Sequence, residues 1–529
     1  MVIKSKVVEI YDTTLRDGAQ SKDVIFSLQD KLRITSKLDE FGVHYIEGGW
    51  PGSNPKDEEY FKKVKELSLE NSEIVAFGST RRPNLKVHED SNINALIKSD
   101  VRTVTIFGKS WDLHVKSVLN TTLEENLNMI FESISYLKEH GLRVFFDAEH
   151  FYDGFKNNRN YAIDVLKTAV EAKADVIILC DTNGGTLPHE FFEITKEVKS
   201  LINIPIGVHC HNDSGVAVAN SLLGVIAGAI QIQGTINGIG ERCGNADICQ
   251  IIPALELKMG IRALKTPKEK LRYLKQLSLY LYEVLHMKPN PYQPYVGENA
   301  FAHKGGVHVD AVLKNRIAYE HIPPEEVGNI RLFSVSELSG RANIIAKAKE
   351  FGFDIKKDDP VVTRILNKIK ELEYKGYHLE GANGTLYLII AKELGLYKKL
   401  FHVIKWRTIS ESYNGNTFAE SSIKIKVGDK EIFVIAEGNG PVNAQDRAIR
   451  KAMIEFFPEI EKVQLINYKV SIADTAQGTA SSVRTFIEFT DGKTNWITVG
   501  VSTNILEASK DALIDGYDYY LQRLRSNSK

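Results

Sequence analysis

Val7-Val8-Glu9-Ile10-Tyr11-Asp12-Thr13-Thr14-Leu15-Arg16-Asp17-Gly18 decides the fold class, because a β-branched run ends on charged residues and no G-x-G-x-x-G turn follows it. A doubly wound open sheet normally carries that glycine-rich fingerprint after its first strand. Seven more short runs rich in Val, Ile and Phe follow: 45–49, 73–78, 102–107, 143–147, 175–180, 204–209 and 229–234. Amphipathic stretches such as Leu28 to Phe41 and Glu124 to His140 separate them, which predicts parallel strands joined by crossover helices. Eight such units in about 250 residues match a closed (β/α)8 TIM barrel.

From Thr266 the strand rhythm stops. The Pro-rich segment Lys288 to Tyr295 reads as a linker, and helical patterns run to about Leu400, including Arg341 to Phe351. Strands return at Phe401, and two segments look alike: Ser422 to Glu437 followed by Ala444 to Phe457, then Ser482 to Val501 followed by Ile505 to Leu524. The expectation is an α/β chain of three parts: a barrel over 1–265, a linker and helical subdomain over 266–400, and a ββα-repeat regulatory and dimerising domain over 401–529.

With 67 basic and 68 acidic residues among 529, charge favours neither nucleic acid nor an anionic membrane as partner. Cys180, Cys210, Cys243 and Cys249 stand at no zinc-ribbon or C-x-x-C spacing, so a reduced, cytoplasmic chain is expected. The first six residues have no apolar signal core, and no run of about 18 apolar residues occurs.

In a barrel the site forms where strands end. Those ends supply Arg16 and Asp17, Glu47, Asp147 and Glu149, Asp181 and Thr182, His209 and His211, and Asn237. Alternate strand residues share a face, so His209 and His211 point the same way and can share one ion, with Asp17 as a hard oxygen ligand and Arg16 as a fixed positive charge. Blander readings stand beside these. Glu47 and Asp147 can simply pair with barrel arginines, Asp181 can cap the helix after Thr186, and the loop Gly238 to Ala246 can cradle a phosphate. Cys210 reads as core, Cys243 as a small spacer, and His88, His114 and His189 as solvated. None of the eight expected strand ends offers a lysine, which counts against a carboxyltransferase.

Arg16-Asp17-Gly18, His209-Cys210-His211-Asn212-Asp213 and Gly240-Glu241-Arg242-Cys243-Gly244-Asn245-Ala246 resemble signatures of the 2-isopropylmalate, homocitrate and citramalate synthase family. Gly305 to Ala311 resembles that family's helical-subdomain motif, and Glu437 to Ala444 its C-terminal regulatory domain. The stretches Gly48 to Pro55 and Phe146 to Phe151 are most similar to the long citramalate synthases. The resemblance implies a divalent ion (Mg, Mn or Zn) on Asp17, His209, His211 and Asn245, with acetyl-CoA and pyruvate as substrates. It further implies Arg16 as charge stabiliser, Thr182 on the keto acid carboxylate, and His308 as base, helped by Tyr319 and Glu149 and reaching in from the other subunit of a homodimer. The gap between His308 and Tyr319 is about one residue longer than the related pattern, so Tyr319 is the weaker carry-over.

Strand four ends Thr105-Ile106-Phe107-Gly108, and Phe107 is expected to fill space that a longer keto acid needs. Because citramalate leads towards isoleucine, isoleucine is the expected effector, with leucine the runner-up. The alternatives are a 2-isopropylmalate or homocitrate synthase and, in a different class, a metal-dependent acyl-CoA lyase.

Overall fold

The computed structural model describes residues 7–336, 339–356, 358–414, 416–473 and 478–526. Eight strands, β1 Glu9–Asp12, β2 Tyr45–Gly49, β3 Glu73–Ser79, β4 Thr103–Lys109, β5 Arg143–Glu149, β6 Val176–Asp181, β7 Ile206–Cys210 and β8 Gln231–Gly234, close into a parallel barrel. Closure pairs β1 with β8, setting Ile10 against Ile232. The pleat explains why each strand reads as nearly continuous apolar sequence. One face, with Tyr11, Tyr45, Val75, Phe145, Val176, Ile178 and Cys180, fills the barrel interior. The other, with Ile10, Ile46, Val144, Ile177 and Val208, packs under the helices.

The helices start and stop on local chemistry. Leu28–Phe41 opens on a capping box in which Ser27 and Asp30 satisfy each other's backbone N–H, and it closes on Gly42 at φ 102°. The Pro-rich stretch read as a linker is fastened to the first unit: buried Gln293 donates to Asp247 (2.8 Å).

The chain forms two compact units, 1–301 with 322–330, and 302–321 with 331–529. The second holds a short parallel pair, β9 Ala302–His303 with β10 Leu332–Phe333, and two antiparallel sheets. These are β11 His402–Tyr413, β12 Asn416–Val427 and β13 Lys430–Gly438, then β14 Gln464–Ile472, β15 Val483–Thr490 and β16 Asn495–Ser502. Helices Pro441–Met453 and Ile505–Ser526 follow the two sheets, so each repeat carries one strand more than the two expected. Tyr387, Leu388 and Ala391, from the helix Asn383–Glu393, are buried in the same core as Ile423, Trp496 and Tyr517.

Candidate metal centre and substrate pocket

The turn after β1 throws Arg16 and Asp17 across the barrel mouth toward the end of β7. Asp17 Oδ2 lies 3.3 Å from His209 Nε2 and 4.0 Å from His211 Nε2. All three residues are buried, and their donor atoms lie within 4.8 Å of one another, the one such grouping of His, Cys, Asp and Glu among the described residues. Asp17 Oδ1, His211 Nδ1 and both side-chain polar atoms of Asn245 are buried without a hydrogen-bond partner. Buried polar atoms are ordinarily paired, so the unpartnered Asp17 and Asn245 oxygens around one cage fit a cation that takes up their lone pairs.

Asn245 is brought in by the glycine-rich loop after β8. Gly244 adopts φ 87°, and a Cβ there would lie 1.9 Å from the Gly238 oxygen; one at Gly240 would crowd the Asn245 side chain at 3.0 Å. The loop therefore seats an amide beside the cage.

Gln233, which the sequence reading missed, fixes the orientation of His209. Its Oε1 can only accept, so His209 Nδ1 carries the proton and donates across 2.9 Å, leaving Nε2 as the ligand atom facing Asp17. Gln233 Nε2 in turn donates to Asp147 Oδ1 at 3.2 Å. Burial, then the neighbouring Glu47, pushes the Asp147 carboxyl up to about 7. Burial also works to raise the Asp17 carboxyl, but the Arg16 guanidinium and the two imidazoles outweigh it and hold Asp17 well below the usual range. Burial and the nearby His209 pull His211 down to about 4, so its ring is neutral at ordinary pH.

Arg16 is fixed on three sides. Its Nε donates to Glu47 at 2.5 Å, its Nη1 lies 3.4 Å from Asp17, and its guanidinium carbon sits 3.7 Å above the centre of the Phe77 ring. Phe77 stacks on Phe107 at 5.5 Å, and Trp50 stands edge-on to both at 5.6 and 5.7 Å. Phe107 thus belongs to an aromatic box beside the guanidinium, together with Trp50 and Phe77, which the sequence reading did not single out.

Glu149 closes β5 and is half-buried, paired with Lys109 at the end of β4. That lysine corrects the expectation that no strand end offers one: β4 runs two residues further than its apolar pattern, and the ammonium is occupied by Glu149. Asp181 accepts from both Thr186 N–H and Oγ1 and so fixes the turn before the helix Pro188–Leu201; it does not cap that helix as expected, because the cap position is Leu187 and no side chain bonds to the first turn. Asn237, expected at the end of β8, is not part of the site. The strand stops at Gly234, and a left-handed turn (φ 62°) aims the Asn237 side chain at Ser278 and Gln293. His114, expected to be solvated, instead stacks on Trp111 and meets the tilted ring of His150 on its other side. His308 and Tyr319 lie in the second unit, where their rings stack at 4.3 Å. Both are exposed, as are Val307 (77 %) and Ile317 (84 %) beside them.

The HMGL-like family profile matches residues 7–277, the homocitrate synthase post-HMGL domain-like profile 295–376, and the LeuA allosteric (dimerisation) domain profile 380–521. A protein of Aquifex aeolicus named (R)-citramalate synthase is 53 % identical over 98 % of this chain and 98 % of its own. One of the same name in Sulfolobus acidocaldarius is 52 % identical over 98 % and 97 %. A 2-isopropylmalate synthase of Methanocaldococcus jannaschii is 35 % identical over 98 % and 95 %. No helix among the described residues is long and apolar enough to cross a membrane.

Proposed function

The chain belongs to the HMGL-like family, in the branch whose members carry a LeuA allosteric (dimerisation) domain, and from that premise we propose that it condenses acetyl-CoA with pyruvate to give (R)-citramalate and free CoA. The observation that carries this reading is Arg16, set between the Asp17/His209/His211 cage and an aromatic wall: a fixed cation beside a chelating site, with apolar rings next to it.

A divalent ion (Mg, Mn or Zn) held by Asp17, His209, His211 and Asn245 supplies, when bound, polarisation of the keto acid carbonyl. The remaining work falls to side chains. Thr182 donates its hydroxyl proton to the keto acid carboxylate. His308, assisted by Tyr319 and by Glu149 through a hydrogen-bonded chain, takes a proton from the thioester methyl group. The electron pair left on that carbon forms the new bond to C2 of pyruvate, and the carbonyl π electrons move onto oxygen, where Arg16 stabilises the charge until it is protonated. Water then cleaves the thioester and releases the CoA thiol. Trp50, Phe77 and Phe107 bound the space for the pyruvate methyl group.

His308 serves the partner's barrel in a homodimer, in keeping with its place on an exposed apolar ridge with Val307 and Ile317. Residues 1–265 carry the chemistry, 266–400 deliver His308, and 401–529 regulate. Isoleucine is the effector, bound between the repeats near Glu437 to Pro441 and the turn at 475–479; of that turn, 475–477 fall outside the described residues. The four cysteines are free, as suits a reducing cytoplasm. The test is product analysis. Purified protein given acetyl-CoA, pyruvate and a divalent ion should form citramalate, identified by mass spectrometry and chiral chromatography, and its failure to appear overturns the assignment.

A further inference from the structure

Thr182 is gripped from two sides by residues in a conformation that side chains rarely adopt. His150, in the turn after β5, sits at φ 58°, and Arg242, in the loop after β8, at φ 55°. Neither is glycine, so each left-handed turn must be held by its surroundings. His150 is 8 % exposed, and its ring lies 4.1 Å from that of His114 and 5.9 Å from that of Trp111. Its Nδ1 is 3.6 Å from Asp153. Arg242 grips Asp213 through Nε at 2.7 Å and Nη2 at 2.9 Å.

Both turns spend a donor on Thr182. The His150 backbone N–H donates to Thr182 Oγ1 at 2.9 Å, and Arg242 Nη2 donates to the Thr182 carbonyl at 2.7 Å. The first contact fixes the hydroxyl as an acceptor on its His150 side, which leaves its own proton to donate in another direction. The second locks the peptide that carries it. We propose that His150 and Arg242 are positioning residues which together aim the Thr182 hydroxyl at the substrate carboxylate, the packed rings of Trp111, His114 and His150 acting as the brace on one side. This deepens the functional reading above and rests on it, since it needs a 2-keto acid in the pocket.

The test uses the intact protein and whichever of pyruvate, 2-oxobutyrate, 2-oxoisovalerate and 2-oxoglutarate it turns over best. All four carry the carboxylate, so a preference for another acid refutes the pyruvate assignment without touching this inference. His150→Gly keeps the left-handed backbone and its N–H but deletes the brace; Arg242→Gln removes the grip on the carbonyl; Thr182→Val removes the hydroxyl. Each should raise KM for the keto acid about tenfold, with kcat, metal affinity and melting temperature little changed. In the Thr182→Val background neither His150→Gly nor Arg242→Gln should raise KM further, because groups that act through one hydroxyl are not additive. Thr182→Ser should restore most of the loss. An undiminished rise in KM in the Thr182→Val background, or a fall in metal affinity that tracks KM, overturns the proposal.

Discussion

Replacing Gln233 by Leu tests the metal centre through a residue that does not belong to the ligand cage. Gln233 accepts a hydrogen bond from His209 Nδ1–H across 2.9 Å and donates from its own amide N–H to Asp147 at 3.2 Å, wholly inside the barrel. Leucine is close in volume, so packing is kept while the acceptor is lost. A buried N–H left without a partner costs about 1 to 3 kcal/mol, and the imidazole becomes free to turn or to change tautomer. Set against binding, that cost is a roughly 5- to 150-fold loss of metal affinity, in line with the roughly 10- to 100-fold typical of such supporting partners. Titration of the metal-stripped protein with Mn or Zn against a competing chromophoric chelator reads the constant directly. Gln233→Glu keeps an acceptor and should hold metal affinity within a few-fold. Metal binding by folded Gln233→Leu as tight as that of the parent protein would show that Gln233 does not orient His209 for the metal.

Three further outcomes are expected. His308→Ala should lower turnover by roughly the 10²- to 10⁴-fold typical of general-base loss, and mixing it with inactive Arg16→Ala should restore part of the activity; no recovery after demonstrated subunit exchange rejects a base acting across subunits. Phe107→Ala opens the box beside Phe77 and Trp50, and since one methylene is worth about 1 to 3 kcal/mol, use of 2-oxobutyrate relative to pyruvate should rise by tens-fold; an unchanged ratio places Phe107 off the substrate. Asp515 is pushed up to about 7, chiefly by burial, with Thr385 donating at 3.3 Å. Its folded form therefore holds a proton that the unfolded chain has released, so its contribution to stability is full below about pH 4 and is lost as pH rises towards 7. Asp515→Asn should flatten that part of the melting-temperature profile, and an identical profile in the two proteins contradicts the assignment.

The barrel was legible because a parallel sheet buried on both faces leaves eight short apolar runs in the sequence, and β2 was placed to the residue. The second unit was less so. β14 exposes most of its length and so carries no core-facing alternation, and β11 mixes polar and apolar residues; both first strands of the repeats were missed. In the site, Asp17, His209 and His211 stood out because charged residues at strand ends have few structural reasons to be there. Gln233 was hidden: an amide inside a strand gives no signal until the pairing that sets it beside His209 on the neighbouring strand is known. Asn237 misled for the opposite reason, since three residues of turn after β8 rotate it out of the pocket. The left-handed backbone of His150 and Arg242 leaves little trace in the sequence: histidine is only modestly favoured at positive φ and arginine is not, so neither marks a turn as glycine does.

If this cage and aromatic box serve a Claisen-type condensation on the smallest keto acid, the choice of acid and the need for a metal must show together in the rate of thiol release. The most direct measurement is CoA thiol release from acetyl-CoA with pyruvate, 2-oxobutyrate, 2-oxoisovalerate and 2-oxoglutarate offered separately, each with and without a chelator. The enzyme should show its highest kcat/KM with pyruvate, a steep fall for the branched and dicarboxylic acids, and loss of activity on chelation that a divalent ion restores. Thiol release that is fastest with 2-oxoisovalerate or 2-oxoglutarate, or that survives exhaustive chelation, contradicts a metal-dependent condensation on pyruvate.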